Sequence, residues 1–171
     1  MIKILFTLLI TSFAFAANFH EFKINSYQGD EIDFAKFKGH PVMIVNIATR
    51  CGYTGQLDDI EKLYQKYKSK GLIVLGIPSN DFGGQTPENN KAVADFCRRN
   101  YGATFPITEK QVVSGNEKNA IYKYISSQTK NEVKWNFEKV IFDSKGNLIK
   151  KYPSSIAPLD TSITREIEKL F

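Results

Sequence analysis

The chain has 171 residues, 42% of them hydrophobic and 24% charged, with a formal net charge of +5. That is one domain's length, enough to bury a core without a metal or a disulfide framework. Basic residues are spread and interleaved with acids, as in Glu61-Lys62 and Glu166 to Lys169, so a solvated surface explains the charge better than a nucleic-acid-binding patch.

The first residues are Met1-Ile2-Lys3, followed by an almost wholly apolar run over 4–15 and the small-x-small triplet Ala14-Phe15-Ala16. This pattern predicts a secretory signal peptide at 1–17, cleaved near Ala16 or Ala17, and a mature domain at 18–171. An uncleaved anchor would need a longer apolar run. No cysteine follows closely enough for a lipid anchor, so no stable membrane insertion is expected after cleavage. Loss of Lys3 leaves 22 basic against 18 acidic side chains, or +4. The expected location is periplasmic or secreted.

Residues 22–27 and 31–34 alternate apolar and polar around Gln28-Gly29-Asp30 and predict a hairpin. The apolar run 42–48 predicts a buried strand. Between 56 and 70, Leu57, Ile60, Leu63, Tyr64 and Tyr67 recur at helical spacing, and Gly71 supplies a stop. Residues 72–77 predict a second buried strand. Thr86-Pro87-Glu88 reads as a helix start with proline in the first helical position, the helix running to about Asn100 ahead of Gly102. A shorter helix follows at 120–127. Residues 137–142 and 148–152 predict a hairpin about Ser144-Lys145-Gly146-Asn147, and 161–170 a final amphipathic helix. There is no repeat or linker. This order of elements predicts an α/β fold, a central mixed sheet flanked by helices, with an N-terminal β-hairpin.

Cys51 and Cys97 are the only cysteines. In an exported chain such a pair first suggests a structural disulfide. Cys51, however, falls between the strand ending at Ala48 and the helix beginning at Gln56. Backbone N–H groups and the helix dipole favour an anion there, which lowers a thiol's pKa. Gly52 would let the backbone approach closely, and Arg50 adds a positive neighbour. A buried structural cysteine stays the alternative. A cysteine hydrolase would need a base, usually histidine. His20 lies near the mature N-terminus and His40 in the turn Gly39-His40-Pro41, neither placed for catalysis. Cys51-Gly52-Tyr53-Thr54 also lacks the second thiol of a Cys-x-x-Cys oxidoreductase. Activation of Cys51 is left to neutral donors, a dipole and Arg50.

Three segments then carry a resemblance. Asn46-Ile47-Ala48-Thr49-Arg50-Cys51-Gly52-Tyr53-Thr54 resembles the active-site segment of the glutathione peroxidase family. Pro78-Ser79-Asn80-Asp81-Phe82-Gly83-Gly84-Gln85 is similar to its second motif, and Lys134-Trp135-Asn136-Phe137 to its third. The similarity spans nearly all of the chain after residue 17. It implies a thioredoxin-like fold and a catalytic tetrad of Cys51 as peroxidatic thiol with Gln85, Trp135 and Asn136 as hydrogen-bond donors. Singly, Trp135 would read as a core aromatic, Asn136 as a turn residue and Gln85 as a solvated loop residue. Cys97 matches the resolving cysteine of the thioredoxin-dependent branch; a core-packed cysteine or half of a permanent bridge are the other readings.

There are departures from the family pattern. Ser79 stands where many members have cysteine, Asp81 where they have glutamine, and Gly55 where proline is common, which is expected to loosen the loop after Cys51. The short segment 126–133 resembles monomeric members. The implied reaction is reduction of hydrogen peroxide and of organic or lipid hydroperoxides, without bound cofactor or metal. Electrons would come from an external thiol, a thioredoxin-like protein in preference to glutathione because Cys97 is present. A redox sensor or relay that passes oxidation to a partner protein is the alternative. A structural binding module with a permanent Cys51–Cys97 bridge is a third reading.

Overall fold

The computed structural model describes residues 18–171. The expected signal peptide at 1–17 lies outside the described residues.

The hairpin is present as β1 (Lys23–Asn25) and β2 (Glu31–Asp33), antiparallel with Lys23 opposite Asp33. The main sheet has β3 (Val42–Ile47) and β4 (Ile73–Pro78) side by side and parallel. Then come β5 (Lys139–Phe142) and β6 (Leu148–Tyr152), so the order is β4-β3-β5-β6. β5 runs antiparallel to both β3 and β6, which makes the sheet mixed.

Every residue of β3 is buried, as a strand covered on both faces requires, which is why it reads as a continuous apolar run. Alternation sorts its side chains. Met43, Val45 and Ile47 pack with Leu57, Ile60 and Leu63 of α1 (Gln56–Tyr67), Val93 of α2 (Asn90–Tyr101), and Ile163 and Ile167 of α4 (Thr161–Glu168). Val42 and Ile44 belong to the opposite layer, with Ile121, Tyr122 and Ile125 of α3 (Ala120–Thr129). Burying each of these large aliphatic side chains contributes about 1.5–3 kcal/mol. The helical spacing read from Leu57 to Tyr67 is therefore the stripe that covers one face of the sheet. A single 3-10 turn follows α1, and Gly71 closes it at φ 100°, a left-handed position suited to glycine.

Two of the boundaries that differ from expectation are explained by contacts with distant segments. The helix expected to begin at Thr86-Pro87-Glu88 begins at Asn90. Asn89 is its N-cap, accepting the Ala92 N–H at 2.9 Å. The preceding residues are claimed by other partners: the Thr86 N–H by Asn80 Oδ1 at 2.8 Å, and the Glu88 carboxylate by Thr49 and Arg50. The strand expected from residue 137 starts at Lys139, because Phe137 adopts φ 65°, outside the strand region.

Candidate active site

β3 ends at Ile47, and Cys51 follows in a turn that leads into α1. The turn is closed by its own groups. The Cys51 N–H donates to Thr54 Oγ1 at 2.9 Å, and the Thr54 hydroxyl donates onward to the Ala48 carbonyl at 3.1 Å. The Tyr53 N–H points at Cys51 Sγ, 3.4 Å away. Cys51 is 9% exposed, buried at the rim of the core.

Two details of the expected activation need correction. A Cβ on Gly52 would meet nothing within 4 Å, so no close backbone approach demands glycine there. Arg50 is engaged elsewhere, its guanidinium pairing with Glu88 at 2.8 Å. Burial would raise the Glu88 carboxyl, yet the Thr49 hydroxyl and the Arg50 guanidinium bring it below its ordinary value. Gly55, the third departure, has ordinary helical angles at the head of α1.

The three motifs are joined by hydrogen bonds. The Gln85 carbonyl accepts the Arg50 N–H at 3.0 Å and the Thr49 hydroxyl at 3.2 Å, so the second motif is fixed beside the residues leading to Cys51. The Asn136 amide donates to Gln85 Oε1 at 3.0 Å, joining the third motif to the second. Asn136 Oδ1 is buried without a partner among the described residues. Trp135 is 40% exposed and lies against Phe82 with ring centroids 5.8 Å apart. It is therefore not a core aromatic. Gln85 is carried by Gly83 and Gly84, both left-handed at φ 66° and 63°, a pair of backbone positions that side chains disfavour.

Cys97 lies on α2, 1% exposed, in the same apolar layer as Cys51. Burial pushes its thiol up to about 12, which keeps it protonated and unreactive where it stands. Both thiols are free. His20 and His40 bond to backbone carbonyls of Phe34 and Gly71, away from this cluster. The departures have structural roles: Asp81 Oδ2 accepts the N–H groups of Val113 and Ser114 at 2.6 and 3.0 Å. Ser79, wholly buried, accepts the Asp81 N–H at 3.2 Å.

Two residues of this neighbourhood escaped the sequence reading. Asn46 holds the Trp135–Asn136 turn from β3, and Glu88 ties the Gln85 loop to Thr49 and Arg50. Asn46 left a signal, the one amide in an apolar strand. Glu88 left none.

A sheet that presents a cysteine between a strand and a helix, with the Gln85 loop bonded to the residues just before it and the Asn136 amide bonded to Gln85, defines a thioredoxin-like thiol protein. Solved structures share the fold. The crystal structure of Trgpx in apo form matches with a TM-score of 0.74 and 30% identity, over 91% of this chain and 95% of that one. A thioredoxin-family thiol:disulfide interchange protein from Chlorobium tepidum matches at 0.67 and 16% identity, over 92% and 97%. The glutathione peroxidase family profile matches residues 19–126. The glutathione peroxidase-like peroxiredoxin GPX5 of Chlamydomonas reinhardtii is 42% identical over 156 residues, 89% of this chain and 95% of the relative. The glutathione peroxidase homolog BsaA of Halalkalibacterium halodurans is 40% identical over 155 residues, 88% and 98%. The chain belongs to the glutathione peroxidase family, and its chemistry is peroxide reduction through a cysteine.

Proposed function

We propose that Cys51 is the peroxidatic thiol and that Gln85, Trp135 and Asn136 are its catalytic donors. The thiolate attacks the terminal peroxide oxygen, the O–O bond breaks, and the departing oxygen takes a proton to leave as water or alcohol. Cys51 becomes a sulfenic acid. Side-chain N–H donors suit this step because they stabilise charge on sulfur and on the leaving oxygen without competing as nucleophiles. The observation that carries the reading is the hydrogen-bonded path from the backbone beside Cys51 through Gln85 to Asn136.

Cys97 then attacks the sulfenic sulfur, water leaves, and a Cys51–Cys97 disulfide forms. Because Cys97 is buried at 1% exposure on α2, the last turns of that helix must open for its thiol to ionise and reach Cys51. An external dithiol reduces the disulfide by exchange. A thioredoxin-like protein fits that role better than glutathione, in keeping with the peroxiredoxin names of several relatives. Hydrogen peroxide and organic or lipid hydroperoxides are the substrate class. No bound cofactor takes part. The enzyme acts as a monomer outside the inner membrane once residues 1–17 are removed. Peroxide turnover with thioredoxin and with glutathione, side by side, tests the reading: fast turnover with thioredoxin supports it, and turnover with glutathione only would overturn the role of Cys97.

A further inference from the structure

A lysine is buried behind the Asn136 turn. Lys139, on β5, is 0% exposed. A lysine in such a place needs acceptors for its N–H groups. It finds them in the loop after β6, donating to the Ile156 carbonyl at 2.5 Å and to the Ser154 carbonyl at 3.3 Å. Gln56, the first residue of α1, donates its side-chain amide to the same Ser154 carbonyl at 2.7 Å. The loop is thus anchored both from the sheet and from the helix that follows Cys51. From that anchored position the Ser154 hydroxyl donates to the Asn136 carbonyl at 2.6 Å.

We infer that Ser154, held by Lys139 and Gln56, is a positioning residue for the peroxide step: it fixes the Asn136 peptide so that the Asn136 amide stays on Gln85. The inference rests on the reading of Asn136 as a donor at the Cys51 site. Its physical basis is the backbone immediately after Asn136. Phe137 is held at φ 65°, a left-handed state that a bulky residue occupies only when its surroundings impose it. The Trp135 carbonyl and the Phe137 N–H are held by Asn46, at 2.8 and 2.6 Å. The Asn136 carbonyl shares its planar peptide with the Phe137 N–H, and Ser154 holds that peptide from the other side. Without the hydroxyl, that peptide keeps only its bond to Asn46 and is free to tilt about it, which shifts the side-chain amide.

The test compares Ser154→Ala, Asn136→Ala and the double variant, all in the Cys97→Ser background so that Cys51 is the only reacting thiol. Two rates are read on each protein: oxidation by hydrogen peroxide in stopped flow, and alkylation by iodoacetamide. Ser154→Ala should slow oxidation about fivefold, the equivalent of one ordinary hydrogen bond, and slow alkylation no more than Asn136→Ala does. The double variant should be no slower than Asn136→Ala, because Ser154 acts through Asn136. Oxidation of Ser154→Ala within twofold of the parent, alongside a slow Asn136→Ala, overturns the inference. So does multiplication of the two losses in the double variant. Alkylation of Ser154→Ala slower than that of Asn136→Ala also overturns it, since general disruption would then be the cause. An Asn136→Ala protein that oxidises at the parent rate removes the donor reading itself, and the inference falls with it.

Discussion

The side chain of Asn46 donates to the Trp135 carbonyl at 2.8 Å, joining the central strand to a residue 89 positions later. Its Oδ1 accepts the Glu138 N–H at 3.0 Å, so one buried amide spans the turn that carries Trp135 and Asn136. A polar side chain inside an apolar strand is tolerated when it is fully paired in this way.

Asn46→Leu keeps the branched shape and removes both bonds, leaving the Trp135 carbonyl and the Glu138 N–H without partners. Each such group costs about 1–3 kcal/mol, so urea denaturation should show a loss of about 2–6 kcal/mol. Cys51 oxidation should slow as well. A loss under about 1 kcal/mol would mean that other groups hold the turn.

Gln85→Ala, Trp135→Ala and Asn136→Ala should each slow the peroxide step. Removing one donor from an oxyanion site costs about a hundred- to a thousand-fold elsewhere. A smaller loss is expected here because the remaining donors persist. Stopped-flow oxidation with excess peroxide isolates the step, and three variants at the wild-type rate would reduce the cluster to packing.

Lys139 gives a pH prediction with a definite sign. Burial pushes its amine down to about 8 from an ordinary 10.5, with Glu138 pulling the other way. Between those values the unfolded chain holds a proton that the folded chain has released. Stability from this group is therefore least below about 8 and grows as pH rises toward 10.5. The difference in unfolding free energy between wild type and Lys139→Met should shift in favour of wild type across that window, by at most about 1.4 kcal/mol per pH unit. A flat difference from pH 7 to pH 10, or one of opposite slope, counts against a depressed amine; both limits bracket about 8.

Much of the layer structure was legible. The spacing of Leu57, Ile60, Leu63 and Tyr67 is the buried stripe of α1, and the apolar runs became β3 and β4. What escaped depends on contacts between distant segments. Thr86-Pro87-Glu88 has a helix start's local chemistry, but Asn80, Thr49 and Arg50 hold it as a loop. Phe137 reads as strand by propensity, yet bonds at the Asn136 carbonyl before it and the Glu138 N–H after it hold it left-handed. Cys51, Gln85, Trp135 and Asn136 were nameable from motifs. Of the residues supporting them, Asn46 shows only as an amide in an apolar strand, and Glu88 and Ser154 look unremarkable in sequence because their partners lie 39 and 18 positions away.

The segment 1–17 should be absent from the mature protein. Its charged start, apolar run and Ala14-Phe15-Ala16 triplet motivate the expectation. Intact mass of protein recovered from the periplasm decides it, and a full-length mass there would favour an anchor.

Cys97→Ser should retain the first oxidation and lose recycling by thioredoxin, because Cys97 acts only after the sulfenic acid has formed. With excess peroxide the variant should proceed to the sulfinic state. A structural bridge predicts the reverse: turnover kept and stability lowered by about 2–5 kcal/mol.

The most direct test of the central claim is intact and peptide mass after one equivalent of peroxide, on wild type and on Cys97→Ser. The account predicts a Cys51–Cys97 disulfide in wild type and a gain of one oxygen, about 16 Da, on Cys51 in the variant. Cys51 unmodified in both proteins while peroxide is consumed would contradict it.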